Sequence, residues 1–233
     1  MTGTILEQGL KKLAIDDAAI PGARLSILTK YIDEIELFND AYGLVKVKDR
    51  QELIVKHILD SLAPLQILRR LLTEMPHIAG NSFDKPRFAD VGSGAGLPGI
   101  PLAICMPDAQ FTLIERMGRR AGFLRNTVAV LGLSNVNVEE ADMEEIASSP
   151  CFDIVVFRAF RPLEPNIFKG LSKLLTEGGL LAAYKGRRLA LEEEMANLRN
   201  APKKGAFPAI GAWQALPLEV PFLEEERHLL VIS

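Results

Sequence analysis

Apolar positions in the first third of the chain recur every three to four residues. Leu25, Leu28, Ile32 and Ile35 form one such stripe, and Leu53, Ile54, His57, Ile58, Leu62 and Leu65 form a second. Charged residues fill the intervening positions, so both stretches predict amphipathic helices. Gly22 and Gly43 are the expected breaks. Residues 1–76 thus read as an N-terminal helical extension without a clear strand. Residues 77–86 hold Gly80, Asn81, Ser82 and Pro86, the composition of a connector.

From Arg87 onward the pattern changes to short apolar runs alternating with helical stretches. Strands are predicted at Phe88–Val91, Phe111–Glu115, Val136–Glu139, Phe152–Phe157 and Leu180–Tyr184. Two more fall near Ala212–Val220 and His228–Ile232. Helices are predicted at Ile100–Met106, Arg119–Leu131, Leu163–Leu175 and Leu189–Leu198. Strands alternating with helices imply an α/β fold, with a doubly wound, mainly parallel, seven-stranded sheet across residues 77–233. The last two strands have no helix between them and are expected to form an antiparallel hairpin.

With 233 residues, of which 48% are hydrophobic and 6% aromatic, the chain can build a large, mainly aliphatic core. A net charge of -3 gives no global basic field for nucleic acid, which leaves only local patches. Cys105 and Cys151 lack metal-ligand spacing, so neither a structural disulfide nor a metal site is expected. The N-terminus lacks a signal-peptide layout, and no apolar run is long enough for a bilayer. A cytoplasmic monomer away from membranes is the expectation.

The densest chemical signal is Asp90-Val91-Gly92-Ser93-Gly94-Ala95-Gly96-Leu97-Pro98-Gly99. An apolar run ends in an acid and meets glycines at alternate positions, which lets backbone approach a ligand closely. In such sheets ligands bind beyond the carboxyl ends of the strands. That places Asp90, Gly92, Gly94 and Gly96 at a nucleoside-bearing cofactor. The dinucleotide fingerprint wants a third glycine where Leu97 stands, which disfavours NAD and favours S-adenosylmethionine. Glu115, 19 residues after Gly96, closes the second strand, where a carboxylate can accept from ribose hydroxyls.

The third strand runs out at Glu140-Ala141-Asp142-Met143-Glu144. Met143 can cover an adenine ring, and Asp142 or Glu144 can receive its amine. The plainer alternatives are a core methionine and acids at a helix start. The fourth strand ends at Arg158, which can bind a phosphate, a carboxylate or a guanine edge, or pair with an acid such as Asp90. The Asn/Asp-Pro-Pro-aromatic signature of exocyclic-amine methylation is missing at this strand end, as is a cysteine nucleophile.

Taken together, these segments resemble the RsmG (GidB) family, which methylates guanosine N7 in 16S, small-subunit, ribosomal RNA. The resemblance is carried by Asp90–Pro101, Lys56-His57-Ile58-Leu59-Asp60-Ser61-Leu62 and Gly118-x-Arg120-x-x-Phe123-Leu124. Arg158-Ala159-Phe160, Lys185-Gly186 and Glu226-Arg227-His228-Leu229 add to it. It implies a Rossmann-like class I methyltransferase with S-adenosylmethionine as cofactor. It also implies that Gly92 and Leu97 contact the cofactor, that Met143 and Glu144 lie at its adenine, and that Arg158 lies near its methionine end or the target base. The chain departs from the family at Gly43, Asp142 and Phe157, where asparagine, arginine and serine are common.

Guanine N7 carries a lone pair and no proton, so methylation there needs alignment rather than a general base. Arg158 is then a positioning residue, and His57 is a candidate substrate contact. Arg120 and Arg125, with Arg116 and Arg119, form one basic cluster. Lys185, Arg187 and Arg188 form another. Both follow strand ends and can hold RNA of the small ribosomal subunit or its particle, or can be solvated helix faces. The remaining readings are a small-molecule methyltransferase, a non-catalytic nucleotide-binding scaffold and an NAD-dependent redox enzyme.

Overall fold

The computed structural model describes residues 4–15, 22–75, 85–143, 145–146, 152–158, 162–200 and 211–233. The N-terminal part forms α1 (Ile5–Lys12), α2 (Ala23–Tyr42), α3 (Arg50–Leu53), a π-helical turn (Ile54–Leu59), α4 (Asp60–Leu62) and α5 (Leu65–Glu74). Helix α2 is bounded as predicted. Gly22 and Gly43 flank it in left-handed conformation, at φ 79° and 58°. Asparagine tolerates that conformation too, so the family's usual residue at Gly43 fits the same helix end. The predicted connector lies almost wholly outside the described residues.

The second part alternates β1 (Arg87–Val91), α6 (Gly99–Cys105), β2 (Gln110–Ile114), α7 (Gly118–Leu131), β3 (Val136–Glu139) and β4 (Phe152–Arg158). It continues through α8 (Pro165–Ser172), β5 (Leu175–Lys185), α9 (Arg188–Asn200), β6 (Trp213–Leu218) and β7 (Arg227–Ile232). The seven strands form one sheet in the order β3-β2-β1-β4-β5-β7-β6. Neighbours from β3 to β5 pair in parallel, and β7 runs antiparallel to both β5 and β6. The last two strands do pair as a hairpin, and β7 inserts between β5 and β6.

The largest departures from the predicted boundaries lie around α8 and the start of β5. Helix α8 starts at Pro165, because proline's fixed φ and missing N–H suit a first helical position. It stops at Ser172, because Leu175 already pairs with Phe152 and starts β5 five residues early.

The central strands are apolar on both faces. Phe88, Ile154, Val156, Ala182 and Leu229 point into one core, and Ala89, Val155, Phe157, Ala183 and Leu230 into the other. The period of two assigns neighbours to opposite faces. Phe88 and Phe111 face each other across the β1–β2 pair with stacked rings 4.7 Å apart. The N-terminal helices share the first core. Leu28, Ile32, Ile35, Ile58 and Leu62 pack there with Leu102 of α6 and Leu113 of β2. Each such fully buried aliphatic side chain contributes about 1.5–3 kcal/mol. The extension therefore covers the α6–α7 face of the sheet, and its π-helical turn reaches the carboxyl ends of the central strands.

Candidate functional site

The glycine loop leaves β1 and turns across the end of β2. Gly92 and Ser93 donate their N–H groups to the Ile114 carbonyl at 2.9 and 3.2 Å. Gly94 is left-handed at φ 58° and donates to a Glu115 carboxylate oxygen at 2.9 Å. The other Glu115 oxygen accepts from Met117 N at 2.9 Å. Glu115 is thus a buried clamp that ties the loop to the end of β2. Any ribose hydroxyl has to share a carboxylate already bonded to backbone.

Asp90 at the end of β1 is fully buried. Its Oδ2 accepts from Gly99 N at 2.8 Å, and its Oδ1 has no partner. Burial raises its pKa to about 7, against the pull of the Gly99 hydrogen bond and the Arg158 charge. A buried acceptor without a partner is costly unless a ligand completes it. A ligand ammonium beside the loop meets that requirement.

Gly96 serves packing. A Cβ there would sit 2.5 Å from Ile100 Cδ1 and 3.1 Å from Leu124 Cδ2. Its left-handed backbone, at φ 92°, and this core contact both call for glycine, and Leu97 next to it is buried as well. Only Gly92 of the three loop glycines lines the adjoining cleft of ≈ 200 Å³, together with Glu115, Arg120, Asp142 and Met143. Met143 also packs into the second core, as the plainer of its two readings expects. Glu144 lies outside the described residues.

Arg158 ends β4 and enters the π-helical turn. Its Nη1 donates to Asp60 Oδ2 at 2.9 Å and to the Lys56 carbonyl at 3.2 Å. Its Nη2 lies 3.0 Å from His57 Nδ1. The acid that pairs with Arg158 is therefore Asp60, and the sequence-based pairing with Asp90 is corrected. Asp60 gives its second oxygen to Arg227 Nε at 3.1 Å. Asp60 sits 98 residues before Arg158, and only the fold brings the two together. π-helical turns inside α-helices often mark functional sites. Here the turn brings the Lys56 carbonyl, His57 and Asp60 to one guanidinium.

This network lines a cavity of ≈ 990 Å³ beyond the ends of β4, β5 and β7. Tyr184 borders it, donating its hydroxyl to the Ser61 carbonyl at 2.7 Å. Lys185 borders it too, paired with Glu194 at 2.7 Å. His228, which sequence pattern leaves as a scattered residue, is in the wall, with Nδ1 2.8 Å from the Gly186 carbonyl. Sequence reasoning on chemistry alone missed Asp60, Arg227 and His228. The only signals for them are the family-like segments Lys56–Leu62 and Glu226–Leu229.

The basic clusters separate on the structure. Arg120 lines the smaller cleft and donates to the Gly43 carbonyl at 3.3 Å. Arg125 points elsewhere, to Glu140 at 3.0 Å. Arg187 is exposed where β5 leads into α9. Arg188 pairs with Glu192 at 2.8 Å. Among the described residues there is no cluster of three or more His, Cys, Asp or Glu side chains that could hold a metal ion. No described helix is long and apolar enough to cross a membrane.

Residues 24–210 match the family described as GidB, rRNA small subunit methyltransferase G. A ribosomal RNA small subunit methyltransferase G of Treponema denticola is 37% identical, across 100% of this chain and 95% of its own length. One of Serratia proteamaculans is 37% identical, across 92% of each chain. Solved structures with the same fold include a putative O-methyltransferase from Klebsiella pneumoniae, at TM-score 0.57 and 17% identity, covering 98% of both chains. Another is the magnesium protoporphyrin IX methyltransferase from Synechocystis with bound SAM, at TM-score 0.50 and 13% identity, covering 93% of this chain and 99% of the other.

Proposed function

We propose, since this chain belongs to the GidB family of small-subunit ribosomal RNA methyltransferases, that it transfers a methyl group from S-adenosylmethionine to N7 of a guanosine in 16S ribosomal RNA. The fold is that of class I methyltransferases, and the cofactor is S-adenosylmethionine. When bound, it supplies a sulfonium methyl that the N7 lone pair takes, with the electrons of the broken carbon–sulfur bond staying on sulfur.

The residues present fit that cofactor. Asp90 Oδ1 is the unpaired acceptor for its ammonium, and Gly92 and Glu115 border its nucleoside. Met143, in the wall of the same cleft as Gly92 and Glu115, supports a contact with the adenine face. Glu144 is proposed there on family resemblance alone.

The observation that carries N7 is the state of the groups at the end of β4. Asp60 spends both carboxylate oxygens on arginines, and His57 Nδ1 faces Arg158. These groups hold a guanidinium in place rather than stand ready to take a proton. N7 loses no proton on methylation, so alignment and exclusion of water are sufficient. Arg158 keeps donors free for the substrate and positions it in the larger cavity. Arg120, Lys185, Arg187 and Arg188 supply phosphate contacts around the two openings. Arg125, which turns to Glu140 and lines neither cavity, is left out of that set.

The partner is small-subunit ribosomal RNA or the particle that contains it, and the protein acts in the cytoplasm as a monomer. The test is methyl transfer from labelled S-adenosylmethionine to isolated small-subunit RNA and to the assembled particle. Label recovered as N7-methylguanosine supports the reading. Label in another nucleoside, or in none, overturns it.

A further inference from the structure

His57 has one ring nitrogen already committed. Its Nδ1 lies 3.0 Å from Arg158 Nη2, and a guanidinium carries donors only. Nδ1 is therefore the acceptor, and the ring proton sits on Nε2. Burial, followed by the charge of Arg158, lowers the ring's pKa to about 4, with Lys56 adding to the effect and Glu52 opposing it. The imidazole is neutral at physiological pH, with a fixed N–H donor in the wall of the ≈ 990 Å³ cavity.

The chemistry at N7 restricts how a protein can hold the base. An arginine fork across guanine O6 and N7 is the common way to read that edge. Here it would occupy the lone pair that must attack. Recognition beside N7 is left to a single donor at O6, the neighbouring acceptor. A neutral imidazole N–H meets this need without bringing a new positive charge up to the nucleophile. Arg158 has committed three of its five donors to Lys56, Asp60 and His57, and the two that remain can reach the substrate away from the N7 lone pair.

We propose that His57 donates its Nε2 hydrogen to the six-keto oxygen of the target guanine, with Arg158 fixing the tautomer from behind. The inference rests on the guanine-N7 reading and adds to it a residue that selects the base. An adenine carries an amine at this position and meets the same N–H as a second donor.

The test pairs variants with an altered base. The target nucleotide is mapped with the wild-type protein, then supplied in small-subunit RNA as guanine or as 2-aminopurine, which keeps N7 and lacks O6. His57→Ala is expected to lower kcat/KM on guanine about 10- to 100-fold, the worth of one hydrogen bond in a desolvated site. Wild type on 2-aminopurine should lose a similar factor, and His57→Ala should lose nothing further there. His57→Gln, which keeps an N–H near the Nε2 position, should recover most of the activity. Cofactor affinity by calorimetry should be unchanged.

Losses that multiply, or a loss confined to cofactor affinity, would overturn the proposal. A second measurement needs no variant: nitrogen NMR of the wild-type ring must show the Nε2–H tautomer, and an Nδ1–H signal refutes it. A wild-type protein that methylates no guanine N7 removes the functional reading and this inference together. An active wild type with an indifferent His57→Ala variant removes the inference alone.

Discussion

Tyr31 on α2 donates its hydroxyl to the Ala95 carbonyl of the glycine loop at 2.7 Å, across 64 residues of sequence. The donor is fully buried, and burial holds its pKa well above the usual phenol value, so it remains a donor at all working pH values. The N-terminal helices thus brace the cofactor loop directly. Tyr31→Phe leaves a buried carbonyl unpaired and should cost about 1–3 kcal/mol in denaturant unfolding. Cofactor affinity by calorimetry should fall by about 3- to 10-fold, since part of the loop's ordering must then come from binding.

Asp60 is the counter-charge of two guanidiniums. Its side chain is 6% exposed, and those of Arg158 and Arg227 are 14% and 26% exposed. Asp60→Ala should destabilise the fold by about 3–5 kcal/mol, because it leaves buried positive charge without a partner. Asp60→Asn, which keeps the shape, should cost less in urea unfolding yet still lower kcat, since Arg158 is no longer held by an anion.

Asp90 makes stability depend on pH. Its ordinary value is 3.8 and the folded value about 7. Between these the native state keeps a proton that the unfolded chain has lost. Its contribution is complete below the lower value and falls away as pH rises to about 7, by about 1.4 kcal/mol per pH unit. His57 acts in the opposite sense, its contribution being full above 6.5 and lost as pH falls towards about 4. The difference between wild type and Asp90→Asn isolates the first effect, and unfolding free energies from pH 4 to 8 should converge or cross on that schedule. Cofactor binding should also tighten with pH in wild type relative to Asp90→Asn, as a charged Oδ1 meets the ligand ammonium.

How much of this was readable in advance depends on the range of each signal. Gly22 and Gly43 mark the ends of α2 because left-handed backbone is a local requirement. The strand ends at Asp90, Glu115 and Arg158 were legible because apolar runs stop where the sheet meets the site. The π-helical turn was not, since Ile54, Ile58 and Leu62 repeat like any helix face. The pairing of Asp60 with Arg158 and Arg227 was not legible from chemistry either, because nothing local distinguishes one acid from another. The early start of β5 was hidden by Gly178 and Gly179, which read as a turn while Leu175 pairs with Phe152.

Arg187 is exposed, and the Arg188 side chain makes a surface pair with Glu192, 59% and 43% exposed. Such a pair contributes little to stability. Arg187→Glu with Arg188→Glu should leave the melting temperature and cofactor affinity unchanged. RNA binding should weaken, and its salt dependence should flatten by about 0.9 log units per lost phosphate contact. Unaltered RNA binding would move the phosphate track away from the start of α9.

One modified base decides whether this protein is a guanine-N7 methyltransferase. The measurement is a map of N7-methylguanosine in small-subunit ribosomal RNA from cells lacking the protein, beside RNA from cells that contain it. One N7-methylguanosine should disappear, and the wild-type gene should restore it while an Arg158→Ala copy does not. An unchanged N7-methylguanosine map would contradict that reading.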